Sequence, residues 1–361
     1  MSRYITIQKT DKDFNKYIWG TFSDLEFATP VQSVKQNIQN QEVTFEIKNI
    51  HEVNRPFIGK VILQMTKWNY YYLLLVPLFF VFAKNLMFGR LFDLNSFLMS
   101  AISSILLCAG LNIRNEVVDH ISGYDQVVFL GKPKPLNKAW ITAWQANLIA
   151  WGLMTIAIVI ATPVFLAQKE ALRVALVTFV LLILGNFLNK NNYKFNSFSE
   201  FILFILFGPA LCTGYQTSLG AGIDTEIIVF GTLWGMTAMF LVYIVQFSNL
   251  FETSQAGIKN TLTRLGFDKA KIFLKRWWIC CLLLWFVFHY FYSSLYWSIM
   301  TSLILIFWSI STIIKISAIH SPIGSDLKMV REYGFKIVAI MITLLVIEQI
   351  GHVVRFLDWF S

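Results

Sequence analysis

Asn112, Asn115, Glu116 and Asp119 recur at i, i+3, i+4 and i+7, a spacing that puts all four on one face of a helix. They end an otherwise apolar run, where a stripe of amides and carboxylates is costly unless it faces a polar cavity or a cation. Gly123 lets the chain turn, so Asp125 can swing back toward the same point. Clustered oxygen ligands without a thiolate or an imidazole pair suit Mg²⁺, a hard ion held by carboxylates together with phosphates. The bland alternative is a solvated helix end. A rigid basic turn follows, Gly131-Lys-Pro-Lys-Pro135, with Lys132 and Lys134. Such a turn serves either as a phosphate clamp or as an anchor beside anionic lipid. Further on, Asn249, Glu252 and Thr253 again share a face at i, i+3 and i+4, and Lys259 and Arg264 follow as candidate partners for phosphate oxygens. Taken together, acidic oxygens, cations and an aromatic-rich interior suit an amphiphile with a diphosphate head and a hydrocarbon tail. Ionising an allylic diphosphate requires metal and cations on the leaving group, and aromatic faces shelter the carbocation.

The elements that must position these residues follow from composition. The chain has 361 residues, 56% hydrophobic and only 14% charged, with 33 Phe, 13 Tyr and 12 Trp. A soluble domain carries about 25% charged residues, so this chain cannot cover a water-facing surface, and a soluble enzyme or a disordered chain is excluded. An all-α polytopic membrane protein remains. A crossing helix needs about 20 apolar residues, and nine spans read near 68–87, 93–112, 139–164, 171–188, 199–217, 226–247, 273–293, 296–315 and 335–356. Polar loops 113–138, 189–198, 248–272 and 316–334 then share one side. The net charge of +9 reads as basic loops on the cytoplasmic side, with Lys84, Arg90, Lys169 and Arg173 as exceptions. No compact basic domain exists to grip nucleic acid. No signal peptide is evident, which puts the amino terminus in the cytoplasm of a multi-pass cell-membrane protein. Cys108, Cys212, Cys280 and Cys281 lie in apolar stretches without C-x-x-C spacing, a poor basis for zinc or disulfides. Residues 1–65 read as a separate extension, strand-like at Val43-Thr-Phe-Glu-Ile47, ahead of a transmembrane domain at 66–361.

The chain resembles the UbiA superfamily of intramembrane prenyltransferases, which carries Asn-Asp-x-x-Asp after its second span and an Asp-rich motif after its sixth. Asn115-Glu-Val-Val-Asp119 is similar to the first, with Glu replacing the leading Asp. The flanks look more like the menaquinone branch, which prenylates 1,4-dihydroxy-2-naphthoate: Asn112, Gly123 and Asp125 match, as do Ser199-Glu200 with Phe207-Gly-Pro209 and Gly214-Tyr-Gln216. Gly257-Ile-Lys-Asn-Thr-Leu262 and Leu265-Gly266 match the tail of the second motif, whose aspartates are Asn249 and Thr253 here, leaving Glu252 as the nearby anion.

The resemblance implies nine helices around a central cavity with cytoplasmic cap loops. It implies Mg²⁺ on Asn115, Glu116, Asp119 and Asp125, with a second ion supported by Asn249 and Glu252. A polyprenyl diphosphate and an aromatic acceptor such as the dihydroxynaphthoate would be the substrates, among membrane lipid. Asp119 and Lys259 are the expected catalytic groups, and Asn112, Lys132, Lys134, Lys259 and Arg264 the expected substrate contacts. His120 is either a base or, more simply, a solvated histidine. Rival readings are a cyclase of the same fold acting without an acceptor, a non-catalytic scaffold, and a transporter. The transporter is disfavoured because the polar groups cluster at one membrane face rather than at the midplane.

Overall fold

The computed structural model describes residues 3–23, 25–35, 41–87, 93–122, 134–186, 197–255, 258–322 and 326–358. The chain divides into two compact units, Met1–Tyr71 with Ile102–Ile160, and Tyr72–Ala101 with Ala161–Ser361.

The first unit opens with three antiparallel strands, β1 (Arg3–Gln8), β2 (Glu26–Lys35) and β3 (Gln41–Asn49), in the order β1-β3-β2. Alternation sets one face inward: Val43, Phe45 and Ile47 of β3 are buried with Ile7 and Ala28, and Phe45 pairs with Ile5 on one side and Pro30 on the other. Pro30 cannot donate to a ladder, and it sits on an edge strand beside a bulge, where that loss is tolerated. Helix α1 (Phe14–Trp19) closes the inner face with Phe14 and Ile18. Residues 1–65, read from sequence with a strand at 43–47, thus hold a complete small sheet. Helix α2 (Ile58–Met65) follows and buries Val61 and Met65.

Two long helices complete this unit and continue into the other, α4 (Leu94–Ser122) and α5 (Ala143–Ala167). Their approach is fixed at Gly110: a Cβ there would lie 2.7 Å from the Ala150 carbonyl oxygen and 2.7 Å from Met154. Ala146 and Ala150 keep the facing side small, and Ile113, Val117, Leu136 and Ile141 fill the core around them. Ile121, at the end of α4, packs against the sheet's core as well.

The second unit is built from helices: α3 (Tyr72–Met87), α6 (Lys169–Asn186), α7 (Ser197–Ile205), α8 (Leu211–Ser218), α9 (Thr225–Ser248), α10 (Leu250–Gln255), α11 (Thr261–Leu265), α12 (Phe267–Tyr292), α13 (Leu295–Ser317) and α14 (Asp326–Asp358). The most buried of its long helices is α9, which packs on α3, α7, α8, α12 and α14. A π-helical turn, Leu206–Ala210, joins α7 to α8 around Pro209. There a Cβ on Gly208 would sit 2.4 Å from the Gly231 carbonyl oxygen and 2.8 Å from Gly235. Only three glycines allow backbones to meet so closely. Buried indoles find acceptors, Trp234 on the Leu73 carbonyl at 2.9 Å and Trp278 on Ser309 at 2.8 Å, as an apolar interior requires.

Among the described residues, eight helical segments are long and apolar enough to cross a membrane, from Trp68–Met87 to Asp326–Val354. They coincide with eight of the nine spans read from sequence. The remaining one, 171–188, corresponds to α6, which carries Lys169, Glu170 and Arg173 at its start and whose far end leads into residues 187–196, outside the described set. The fold is all-α in its membrane part, with the sheet as its one β element among the described residues.

Lys84, an exception to the basic-loop pattern, is explained by its partners. Its ammonium, 3% exposed, lies 2.6 Å and 2.7 Å from the two oxygens of Asp224 and 3.1 Å from Glu226. Asp224 also caps α9 through the Ile227 amide, and next to Lys84 the Asn85 amide bonds Gln216 at 2.7 Å. Removing one partner of a buried pair costs about 3–5 kcal/mol because the other charge is left uncompensated. Lys84→Met is therefore expected to destabilise the protein by about 3 kcal/mol in detergent unfolding. Adding Asp224→Asn and Glu226→Gln should recover most of the loss; no recovery would mean that Lys84 acts through packing instead.

Candidate functional site

The four-residue stripe lies on α4 as its spacing requires, with Asn115, Glu116 and Asp119 buried. Two charges this deep need counterions, and Lys67 and Lys134 of the first unit stand within ion-pair distance. Lys134 lies 2.9 Å from Glu116 Oε2 and 3.4 Å from Asp119 Oδ2, and Lys67 lies 2.6 Å from Glu116 Oε1. The result is two carboxylates, 5% and 1% exposed, under two ammonium groups that are 35% and 31% exposed.

Local structure holds each cation in place. Pro135 restricts Lys134 to an extended backbone, and the following turn is closed by Lys138 N to Lys134 O and Trp140 N to Pro135 O, each at 3.1 Å. Leu136 and Ile141 pin that turn into the core. Lys67 sits at the corner between α2 and the first membrane-spanning segment, in the left-handed region at φ 53°. That conformation is uncommon outside glycine. Asn112 fixes the corner: its amide donates to the Thr66 carbonyl at 2.8 Å. The same helical face thus grips residue 66 through Asn112 and residue 67 through Glu116.

His120 is buried rather than solvated, which corrects the simpler reading from sequence. Its Nδ1 lies 3.2 Å from Asn137 Oδ1, and it also contacts the backbone of Ile18. The amino-terminal α1 thereby reaches the end of α4 that carries the carboxylates. Asp125 and Lys132, with Gly123, lie outside the described residues.

The second segment belongs to the other unit. Asn249 is the C-cap of α9, and its carbonyl accepts both the Thr253 amide at 2.9 Å and the Thr253 hydroxyl at 2.5 Å. Thr253 is buried and committed to the backbone. Glu252 Oε2 is buried without a hydrogen-bond partner among the described residues. Lys259, two residues before the short helix α11, and Arg264, in its last turn, are both exposed. Asn260 caps that helix through the Thr263 amide at 2.8 Å.

Glu200, seen in the sequence only as part of the fifth-span pattern, anchors this segment. Its buried carboxylate accepts Gln246 Nε2 at 3.0 Å, the Thr261 amide at 3.3 Å and the Thr261 hydroxyl. Lys67 went unassigned from sequence because nothing local links position 67 to position 116. Its one signal was a lone cation at the start of the first span.

No protein-family model and no curated protein matches the chain. Solved structures do. A UbiA homolog from Archaeoglobus fulgidus bound to GPP and Mg²⁺ is similar over 77% of this chain and 99% of its own, at 14% identity and a TM-score of 0.53. The same homolog bound to DMAPP and Mg²⁺ gives 15% identity and 0.53 over the same shares. A digeranylgeranylglyceryl phosphate synthase matches over 81% of this chain and 99% of its own, at 15% and 0.58. The shared property is the fold.

Glu200→Ala should free the segment around α11 without unfolding the protein. Each lost hydrogen bond to a charged group is worth about 1.5–3 kcal/mol, so amide exchange at Thr261 and Thr263 is expected to rise at least about tenfold. Exchange in α12 should stay unchanged. Equal protection at Thr261 in both proteins would show that Glu200 is not the anchor.

Proposed function

We propose that this chain, a polytopic membrane protein with the fold of UbiA homologues, transfers a prenyl group from a polyprenyl diphosphate to an aromatic acceptor in a Mg²⁺-dependent reaction. The observation that carries the reading is the buried Glu116–Asp119 pair with Asn115 beside it, on a helix apolar enough to span a membrane. The fold it shares has been solved with GPP and Mg²⁺ and with DMAPP and Mg²⁺.

The donor set fits a hard cation. One ammonium already bridges Glu116 and Asp119, so the gap between their oxygens is one that positive charge stabilises. Among the described residues no three His, Cys, Asp or Glu side chains converge to cage a metal. Mg²⁺ does not require that, since it keeps several waters and binds through one or two carboxylates plus substrate phosphates. Glu116 and Asp119 would hold the ion, with the Asn115 amide and Asp125 assigned as further oxygens; Asn249 and Glu252 are assigned to a second. When bound, the metal would neutralise charge developing on the departing pyrophosphate.

The chain's own groups do the rest. Lys259, Arg264, Lys132 and Lys134 are assigned to phosphate oxygens, where each ammonium or guanidinium lowers the cost of the leaving group's charge. The allylic C–O bond breaks with its electron pair going to pyrophosphate. An electron-rich ring carbon then bonds the allylic carbon, and the ring loses a proton or its carboxylate as carbon dioxide. Apolar helices exclude water that would otherwise trap the cation. The acceptor suggested by the flanking residues is 1,4-dihydroxy-2-naphthoate. The setting we assign is the cell membrane, with the amino terminus in the cytoplasm.

A second reading keeps the donor and drops the acceptor, giving a cyclase. It is favoured by Thr253, whose hydroxyl serves the backbone where the resembled motif has a metal-binding aspartate.

The decisive assay is pyrophosphate release by purified protein from geranyl, farnesyl and geranylgeranyl diphosphates, with and without Mg²⁺ and the naphthoate. Metal-dependent release that rises with the naphthoate is expected. Release indifferent to it favours the cyclase, and no release from folded protein in any condition rejects both. Asp119→Ala should lower turnover by roughly 100-fold or more. Asn249→Asp should preserve or raise it; a loss there would mean that the second segment has been turned to another use.

A further inference from the structure

Among the described residues, two carboxylates and two ammonium groups of the first unit meet at this site. Glu116 and Asp119 contribute −2, while Lys67 and Lys134 contribute +2, all within ion-pair distance. A site built only to capture Mg²⁺ gains from uncompensated negative charge, whereas here the carboxylates already carry cations. Mg²⁺ binds oxygen at 2.0–2.1 Å in near-ideal octahedral geometry. On Glu116 Oε2 and Asp119 Oδ2 it would meet the repulsion of an ammonium 2.9 Å and 3.4 Å from the same two atoms. A metal on those two atoms therefore favours the departure of Lys134.

The lysines are built to move and the carboxylates are not. Glu116 and Asp119 are buried on a helix locked by Gly110 against α5. Lys67 and Lys134 are about one-third exposed on flexible stems, rooted at a left-handed corner and at a proline turn. The corner is held independently by Asn112 on Thr66, so Lys67 can change partner without the backbone moving.

We propose that Lys67 and Lys134 are a resident countercharge that changes partners on ligand binding: they neutralise Glu116 and Asp119 in the empty site and turn to the phosphate oxygens of a prenyl diphosphate when Mg²⁺ takes the carboxylates. This rests on the function proposed above and adds two consequences. Bare metal binds weakly, because it competes with the ammonium groups. The diphosphate head also binds measurably without metal, because two ammonium groups already stand against the carboxylates.

Two measurements test this on the full-length protein in detergent. The first is Mn²⁺ binding, read by electron paramagnetic resonance with no diphosphate present. Lys134→Met is expected to raise Mn²⁺ affinity at least about fivefold, since the competing cation is gone. A misfolded variant cannot produce a gain, and an unchanged or lowered affinity overturns the proposal. The second is equilibrium binding of geranyl S-thiolodiphosphate, which resists ionisation, in EDTA and in Mg²⁺. The unaltered protein should bind in EDTA within about tenfold of its affinity in Mg²⁺. Lys67→Met should lose at least tenfold in EDTA and much less in Mg²⁺, with Lys67→Arg restoring binding. Binding only with Mg²⁺ rejects the countercharge and leaves the function intact, whereas no binding in either condition rejects both.

Discussion

Burying a carboxylate in an apolar helix is the constraint around which the first unit is organised. An uncompensated charge at such depth costs several kcal/mol, so Glu116 and Asp119 dictate what surrounds them. Lys67 and Lys134 must approach from segments distant in sequence, and each segment has to be held. Leu136 and Ile141 hold the second cation's turn in the core, and Asn112 holds the first cation's corner through the Thr66 carbonyl. The close approach at Gly110 fixes α4 against α5, so that the core supporting the Lys134 turn stays in register with the carboxylates. The amino-terminal sheet belongs to the same construction. Its core reaches Ile121, and α1 lies against His120, one residue beyond Asp119. The core that the sheet shares with α1 therefore packs against the charged end of α4.

The second unit solves a comparable problem with a different chemistry. Glu200 is also a buried carboxylate, but neutral donors from Gln246 and Thr261 satisfy it. Its role follows from that choice. Three hydrogen bonds to one acceptor fix a segment in a single arrangement, whereas ion pairs to exposed lysines leave room for exchange. The segment so fixed, Asn249–Gly266, carries Glu252 against Lys259 and Arg264, so its formal charge is +1. A stretch of that sign attracts phosphate directly.

The membrane helices were legible because a run of about 20 apolar residues has one solution in hydrocarbon, a helix whose backbone satisfies itself. Eight spans fall within a few residues of their apolar windows, apart from ends such as Ser122 and Asp326, where the helix runs past the apolar stretch into polar residues. The stripe from Asn112 to Asp119 was legible for a similar reason, since its period is that of the helix carrying it. β3 showed through Val43-Thr-Phe-Glu-Ile, a clean alternation, while β2 is interrupted by Pro30 and a bulge that blur its period. What the sequence hid is pairing at long range. Lys67 meets Glu116 across 49 positions and Lys84 meets Asp224 across 140, and no local spacing encodes either. His120 reads as solvated because it stands beside a polar motif where an apolar run ends; its burial comes from Asn137 and α1, which only folding brings near.

The two ion clusters have opposite construction, and that separates scaffold from site. At Lys84 the cation is buried, 3% exposed, and its carboxylates Asp224 and Glu226 stand nearer the surface at 35% and 20%. Solvent can reach the anions but not the charge that binds them, so the cluster is a clamp. At Glu116 and Asp119 the anions are buried and the cations stand at the edge. A cation at the edge can be exchanged for another cation without uncovering the core. Stability alone explains neither arrangement, because apolar residues of similar size often serve a buried site as well or better. For the Lys84 cluster, capping α9 and joining it to α3 gives a structural reason to keep the charges. For the Glu116–Asp119 pair no comparable structural gain offsets the cost, since Asn112 and the apolar core already hold the same elements together. What the inward-facing carboxylates add is a place for positive charge, which is what the function proposed above would require of them.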